Sequence, residues 1–355
     1  MSLNDVVQKS NKNEVFKAYY SNYIMINKEK AKEVLKKQGY GLVGNNSAVK
    51  ICRWAKNSLL DKGECYKEKF YGIKSHRCCQ ITCSLFNCQN KCLHCWRNLD
   101  YTEEMNLDNV DNPKEIIEKC IEQQRILLSG FNGNSKVNKK KLKEAQNPNQ
   151  FAISLTGEPT LYPKLGELIN ELKKQGNTSF LVTNGLQPDA LSKLNHEGNL
   201  PTQLYLSVNS PNEKLYNKWH NSTIKNAWEI FNETLSLFPK LKTRKVVRMT
   251  LVKGINSNMK DEFLEDYSAL IKKADPDFIE VKGFMSVGYA RQRKNMGYEN
   301  MPRHNEIKEF SEKLIKELNK NAYSEKDKYK LLDEHSYSAV VLLGKDKKKM
   351  KIKGV

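Results

Sequence analysis

The sequence contains no run of eighteen apolar residues, which excludes a conventional membrane-spanning helix. The stretch from Met1 to Asp5 lacks the charged-then-apolar pattern of a secretory signal peptide. We therefore expect a soluble, cytoplasmic protein with no membrane partner. Since the cytoplasm is reducing, the nine cysteines are expected to bind a metal or an iron–sulfur cluster rather than to form disulfides.

Acidic residues are scarce beside basic ones. The chain has 41 Asp and Glu against 60 Lys and Arg, which gives a net charge of +19. A surplus of this size attracts polyanions in a salt-dependent way, and nucleic acid is the natural candidate. The alternative is compositional, because lysine runs such as 139–141 and 347–349 are often only solvated surfaces. Charge alone leaves both interpretations open.

Only one cysteine, Cys120, follows residue 95. A compact run directly after the apolar segment 81–86 holds Cys88, Cys92 and Cys95 with the spacing C-x3-C-x2-C. Three thiolates can hold three irons of a [4Fe–4S] cube and leave the fourth iron open to a substrate. A zinc knuckle or unrelated core cysteines are the alternatives, although zinc sites usually close with a second cysteine pair.

Further cysteines lie upstream of this run. Cys52, Cys65 and Cys78 follow one another at intervals of thirteen residues, which suggests a second cluster with its own open iron. Cys79 and Cys83 lie nearby, so spacing alone does not select the ligands. Any of these cysteines could instead be a small core residue, as free cysteines commonly are.

Short apolar strands alternate with amphipathic helices along most of the chain. This alternation predicts an α/β protein with a parallel sheet, and six units predict a partial (βα)6 barrel of the TIM type. The predicted strands are 81–86, 151–155, 179–183, 203–208, 246–252 and 278–282. The predicted helices are 30–37, 113–128, 165–174, 190–195, 223–238 and 261–273.

We divide the chain into three segments. Residues 1–78 form an N-terminal extension with the upstream cysteines, residues 79–300 form the barrel, and residues 301–355 form a C-terminal helix and strand extension. The polar stretch 130–149 is expected to be an exposed excursion that is mobile or faces RNA.

Functional residues of a parallel barrel gather at the carboxyl ends of its strands. Thr156, Gly157, Glu158 and Pro159 follow the second predicted strand, and the chain there resembles the GGE motif of the radical S-adenosylmethionine (SAM) superfamily. The C-x3-C-x2-C run matches the signature of that superfamily, in which the open iron binds SAM. The resemblance implies a SAM site. Its expected residues are His94, which replaces the usual Phe or Tyr against the adenine, Thr156, Gly157, Glu158, Pro159, Asn184 and Ser207.

The chain further resembles the tRNA 4-demethylwyosine synthase family over residues 35–343. The resemblance is carried by Ser47–Trp54, Asn90–Arg97, Leu155–Pro163, Thr183–Gly185, Pro211–Glu213 and Glu280–Arg291. Members carry a second [4Fe–4S] cluster, and the matching residues here are Cys52, Cys65 and Cys78. The resemblance thus implies two [4Fe–4S] clusters and SAM as cofactors, with Cys79 and Cys83 outside the ligand sets.

The family's reaction is of the carbon–carbon lyase type. It converts N1-methylguanosine beside the anticodon of phenylalanine tRNA to 4-demethylwyosine, with pyruvate as the two-carbon donor. Lys67 matches the lysine proposed to form a Schiff base with pyruvate, although the open iron of the second cluster could hold pyruvate as well. Lys282, Arg291 and Arg293 are the basic residues expected near the anticodon loop, unless they form only a solvated loop.

The chain resembles the shorter archaeal members, which lack the flavodoxin domain of eukaryotic ones. We therefore expect an external electron donor, such as a flavodoxin or ferredoxin, and a monomeric enzyme. Two rival functions remain: a two-cluster methylthiotransferase that inserts sulfur into RNA, and a non-enzymatic RNA-binding protein with structural zinc.

Overall fold

The computed structural model describes residues 28–320 and 322–353. The first 27 residues of the predicted N-terminal extension therefore lie outside the described part. The strands are β1 (Tyr40–Val43), β2 (Ser47–Lys50), β3 (Cys78–Thr82), β4 (Gln150–Ile153), β5 (Thr178–Thr183), β6 (Gln203–Ser207), β7 (Arg244–Leu251), β8 (Phe278–Gly283), β9 (Lys330–His335) and β10 (Val340–Gly344). The helices are α1 (28–37), α2 (Arg53–Leu59), α3 (Tyr66–Tyr71), α4 (Pro113–Leu128), α5 (Lys139–Ala145), α6 (Leu165–Lys174), α7 (Pro188–His196), α8 (Glu213–His220), α9 (Ala227–Leu237), α10 (Leu264–Ala274) and α11 (His304–Asn319).

The ten strands of the described residues form one sheet in the order β1-β2-β3-β4-β5-β6-β7-β8-β10-β9. Strands β3 to β8 pair in parallel and in chain order. These six strands confirm the predicted partial (βα)6 barrel. An antiparallel pair extends the sheet at each side, β1 and β2 beside β3, and β10 and β9 beside β8.

Side chains alternate between two apolar layers, as the period of two in a strand requires. On β5 and β8, Leu181 and Ile279 belong to the larger layer, which packs against the helices. Their neighbours Phe180 and Phe278 belong to a second cluster inside the barrel. The interior is therefore partly filled by side chains.

Helix α3 closes the amino-terminal end of the barrel. Phe70 and Tyr71 are fully buried in the inner cluster, and the Tyr71 ring meets Phe180 and Phe278 edge-on at centroid distances of 6.0 and 6.1 Å. Lys69 of the same helix donates to the carbonyl of Glu334 on β9 at 2.6 Å. The helix thus forms a floor below the polar part of the barrel.

Two expectations from the sequence are wrong in detail. The first barrel strand is Cys78–Thr82 rather than 81–86, because Leu85 and Phe86 bury their side chains in a loop cluster with Ala31 and Tyr40 instead of pairing in the sheet. The polar stretch 130–149 is not merely an exposed excursion. It contains α5, which begins at the cap residue Asn138 and packs its apolar side on α2.

The three predicted segments share the one sheet. The boundary predicted between residues 78 and 79 falls at the start of β3, and β9 and β10 of the C-terminal segment pair beside β8. The division into segments stays a prediction. No helix among the described residues combines the length and apolar composition needed to cross a bilayer.

Candidate active site

The nine cysteines fall into two groups by exposure. Cys79, Cys83 and Cys120 are fully buried and pack in the main apolar core. The six predicted ligands are only partly buried. They are Cys52, Cys65, Cys78, Cys88, Cys92 and Cys95.

The loop after β3 carries Cys88, Cys92 and Cys95 and is held by two arginines. Arg293 donates to the carbonyls of Leu93 and Arg97 at 3.0 Å each and also to that of Cys95. Arg97 donates to the carbonyl of Asn90 at 2.7 Å. Burial raises the pKa of the Cys88 thiol to about 11 and also raises that of Cys92. A cationic frame of this kind would favour thiolates at a predicted iron site.

Buried polar atoms without a hydrogen-bond partner collect around this loop. Such atoms are rare in folded proteins and call for a missing partner. Here they belong to Ser84, Asn87, Gln89, Asn90, His94, Ser210, Tyr216, Trp219 and His220. The described residues contain no group of three His, Cys, Asp or Glu that converges on one metal ion. The unpartnered atoms leave hydrogen-bonding capacity for a polar group beside the loop.

Two histidines and a tryptophan line the loop. The His94 ring lies 5.4 Å from that of Trp219 at 37°, and His220 Nδ1 lies 3.3 Å from the Cys92 sulfur. Burial lowers the pKa of His94 to about 4 and that of His220 to about 3. Both rings are therefore neutral at pH 7. A neutral imidazole can stack on a base or donate one hydrogen bond to sulfur.

The predicted SAM loop follows β4. Gly157 has φ +73°, and a Cβ added there would lie 1.7 Å from the Ser84 carbonyl oxygen. Only glycine fits this close approach. The loop thereby lies directly against the chain that leads into the cysteine run.

Glu158 ties the SAM loop to the end of β5. Its carboxylate accepts from the backbone and hydroxyl of Thr160 at 3.1 and 2.7 Å, from Thr183 Oγ1 at 2.8 Å and from the Asn184 amide at 2.7 Å. Burial raises the pKa of Glu158 even so. The carboxylate therefore fixes the loop geometry. The side-chain amide of Asn184 donates from Nδ2 to Gln89 Oε1 at 3.3 Å. Ser207 ends β6 and is partly buried.

The upstream cysteines lie beside the starts of three elements. Cys52 precedes α2 and accepts from the Ala55 amide at 3.4 Å, Cys65 precedes α3, and Cys78 begins β3. Burial is the main reason that the pKa of each of the three thiols is raised. The pKa of Cys65 reaches about 12. Cys52 and Cys65 also raise the pKa of Cys78, so the three lie within electrostatic reach of one another.

Lys67 projects into the same region. Its Nζ lies 5.0 Å from the Phe180 ring centroid and 4.8 Å from that of Tyr205. Burial and then Arg248 lower the pKa of this amine, while Glu280, Cys65 and Cys78 act in the opposite direction. The amine therefore faces aromatic rings and thiols, a setting that favours its neutral, nucleophilic form.

A buried ion pair lies near Lys67. Arg248 Nε donates to Glu280 Oε2 at 3.0 Å, and Glu280 has no exposed surface. Tyr66 and Tyr71 donate to the same carboxylate at 2.9 and 2.7 Å. Burial would raise the pKa of Glu280, but Arg248 and Lys67 hold it below its ordinary value.

The three residues expected near tRNA occupy different places. Lys282 lies inside the barrel mouth with Nζ 3.4 Å from the Ser338 carbonyl oxygen, and burial lowers its pKa to about 8. Arg293 donates hydrogen bonds to carbonyls of the cysteine loop. Arg291 is exposed, with its guanidinium 5.8 Å from the Tyr298 ring centroid. Contact with tRNA stays a prediction for all three.

Sequence reasoning missed Arg248, Glu280 and His220. The strand sequences do not single out the first two, since β7 also carries Arg244 and Lys245 and β8 also carries Lys282. His220 ends α8 far from the cysteines in sequence and carries no signal of its own.

Two family models match the chain. The radical SAM superfamily model matches residues 84–267, and the model described as wyosine base formation matches residues 273–345. The first spans the parallel strands β4 to β7, and the second contains β8, β9 and β10. Together they cover most of the described sheet.

Named relatives agree with these models. The S-adenosyl-L-methionine-dependent tRNA 4-demethylwyosine synthase of Pyrococcus horikoshii is 45% identical, over 88% of this chain and 88% of that protein. The enzyme of the same name from Methanocaldococcus jannaschii is 38% identical, over 91% and 98%. The Mus musculus relative, TYW1, is 36% identical over 91% of this chain but only 42% of its own length.

Solved structures are similar as well. A structure of TYW1 with a lysine-pyruvate adduct bound has a TM-score of 0.76 and 35% identity, over 91% of this chain and 97% of that one. A crystal structure of archaeal TYW1 has a TM-score of 0.69 and 33% identity, over 91% and 99%. The chain therefore belongs to the tRNA 4-demethylwyosine synthase family of the radical SAM superfamily.

Proposed function

We propose that the chain converts N1-methylguanosine beside the anticodon of phenylalanine tRNA into 4-demethylwyosine, with pyruvate as the two-carbon donor. One observation supports this function above others. Lys67 lies among three half-buried cysteines and over two aromatic rings, in a chain 35% identical to a TYW1 that was solved with a lysine-pyruvate adduct. This is the arrangement expected for a site that binds a small keto acid.

Charge at the barrel mouth suits pyruvate. Arg248 pairs with Glu280, the carboxylate of this site, and Lys282, with a pKa lowered to about 8, adds a second cation at pH 7. The Arg248 guanidinium uses Nε and Nη2 for Glu280 and Tyr66, so Nη1 is not used in these contacts. The surplus of positive charge attracts the carboxylate of pyruvate, and Nη1 can bind it.

Lys67 acts on the other end of the substrate. Its amine adds to the keto carbon of pyruvate, and loss of water leaves a Schiff base. The aromatic faces of Phe180 and Tyr205 limit where the amine can lie. The lysine thus fixes the position of the carbons that are transferred.

Two iron–sulfur clusters fit the two sets of cysteines. Cys88, Cys92 and Cys95 would hold the one that binds SAM, and Cys52, Cys65 and Cys78 would hold the second. When bound, the first cluster and SAM supply the radical that removes hydrogen from the N-methyl group. Thr156, Gly157, Glu158, Pro159, Asn184, Ser207 and His94 would position SAM. His94 keeps a neutral ring for stacking against the adenine.

The remaining partners are tRNA and an electron donor. The net charge of +19 favours tRNA binding, and Arg291 offers an exposed guanidinium beside the exposed ring of Tyr298. We propose a monomeric enzyme that receives electrons from a separate flavodoxin or ferredoxin.

Iron analysis and a product assay test the function together. Protein reconstituted without oxygen should hold about eight irons per chain, four for each cube. Replacing Cys52, Cys65 and Cys78 together with alanine should leave about four irons and abolish product formation from pyruvate, SAM and methylated tRNA. The core variant Cys120→Ala is the matched control and should keep both clusters. A zinc-containing protein without iron, or a product formed from sulfide but not from pyruvate, would contradict the proposal.

A further inference from the structure

An exposed aromatic cluster stands on the rim of the barrel. Tyr337 is 64% exposed on the turn Ser336–Ser338 between β9 and β10. The Trp54 ring of α2 meets it edge-on, with centroids 5.3 Å apart at 79°. Trp54 also meets His335 at 5.5 Å and 83°. We refer to Trp54, His335 and Tyr337 as the rim cluster.

Tyr337 is held in place although it is exposed. Arg53 Nη2 donates to the Tyr337 hydroxyl at 3.2 Å, and its guanidinium carbon lies 5.9 Å from the ring centroid. An edge-on contact with Trp54 leaves ring area free for another partner. A fixed and exposed aromatic ring beside an arginine is typical of surfaces on which unpaired bases stack.

The rim cluster adjoins the proposed pyruvate site. Its turn is joined to the end of β8, because the Gly283 amide donates to the Ala339 carbonyl at 2.8 Å and Lys282 Nζ lies 3.4 Å from the Ser338 carbonyl. On the other side, Trp54 follows the predicted ligand Cys52 by two residues. The cluster therefore borders the mouth from which Lys67 would be reached.

We propose that Tyr337 and Trp54 form a stacking platform for an unpaired base of the tRNA anticodon loop, with Arg53 beside it for the phosphate backbone. This inference rests on the proposed function and adds the residues that hold the RNA. Arg53 and Lys56 are both exposed on α2, so the rim is cationic as well as aromatic. A protein electron donor could use the charges, but the exposed ring favours a base.

Variants of the exposed Tyr337 test the platform. In an assay driven by dithionite, so that no protein donor takes part, Tyr337→Ala should raise the KM for methylated tRNA about tenfold, the loss expected for one base stacked on an aromatic ring. The effect should fall on KM rather than on kcat. Tyr337→Phe keeps the ring and should restore most of the affinity. The matched control is Tyr323→Ala, since Tyr323 is fully exposed and lies in the connection between α11 and β9.

The outcomes separate the platform from the function itself. A KM for tRNA in Tyr337→Ala within twofold of wild type would overturn the platform while wild-type product formation still supports the function. A defect seen only when a flavodoxin replaces dithionite would overturn it too, and would assign the rim to the electron donor. Absence of product from the wild-type enzyme under both reductants would refute the function.

Discussion

Arg248 and Glu280 lie directly opposite each other on β7 and β8 and form an ion pair inside the barrel, with Nε 3.0 Å from Oε2. The carboxylate also accepts from two tyrosines of the floor, Tyr66 and Tyr71. One pair thus joins the floor helix to the sheet.

Glu280→Gln should destabilise the protein strongly, because it leaves the Arg248 guanidinium buried without a counter-charge. The expected loss is about 3 kcal/mol in the free energy of unfolding, measured by urea denaturation of the apoprotein. Glu306→Gln is the control, since its pair with Lys253 is partly exposed at 3.0 Å and should be worth roughly 0.5 kcal/mol. Equal losses in the two variants would mean that the inner pair contributes no more than a surface one.

Gly157→Ala should weaken SAM binding. The new Cβ would collide with the Ser84 carbonyl and push the SAM loop away from the cysteine run. Gly176 has nearly the same φ, +72°, but nothing lies within 4 Å of an added Cβ, so Gly176→Ala separates backbone strain from collision. Equilibrium dialysis with SAM should show a loss of at least about tenfold for the first variant, equivalent to about 1.4 kcal/mol, and little change for the second. Unchanged binding in Gly157→Ala would rule out a tight loop contact.

Lys67→Ala should prevent ring formation while SAM cleavage continues. Borohydride reduction followed by mass spectrometry should trap a pyruvate adduct on the wild type and none on the variant, because the amine is gone. Lys69→Ala is the matched control on the same helix, where Lys69 pairs with Asp333 at 2.9 Å and is 43% exposed. A trapped adduct in Lys67→Ala would move the Schiff base to another lysine, with Lys282 the nearest candidate.

His220→Leu should make the first cluster harder to reduce. His220 Nδ1 lies 3.3 Å from the Cys92 sulfur, and hydrogen bonds to cluster sulfurs stabilise the reduced state. The midpoint potential, followed by electron paramagnetic resonance, should shift to more negative values in the variant. The exposed His196→Leu is the control and should leave the potential unchanged. A wild-type potential in His220→Leu would show that the contact does not involve a donated proton.

The parallel part of the fold could be predicted from the sequence because strand and helix periods alternate regularly after residue 150. The edge strands could not. β1 and β2 have four residues each, too few for a clear alternation of apolar and polar side chains. The prediction of a strand at 81–86 is wrong for a related reason, because an apolar segment buried in a loop and one buried in a strand look alike in sequence.

The cysteines of the candidate site could be predicted, since spacing and family resemblance both depend on local sequence. The ion pair of Arg248 and Glu280 could be found only from the structure. Arg248 faces Glu280 only through the register of β7 and β8, and Tyr66 reaches the pair only because α3 enters the barrel. Such contacts join residues more than thirty positions apart and leave no trace in local spacing.

The floor made by α3 also governs the order of events. Phe70 and Tyr71 block one end of the barrel, so the keto acid that we propose to bind at Lys67 would arrive through the opposite opening, which the nucleic acid would then cover. We therefore expect compulsory sequential kinetics in which the small substrate adds first, and inhibition by excess tRNA that traps an enzyme still lacking it.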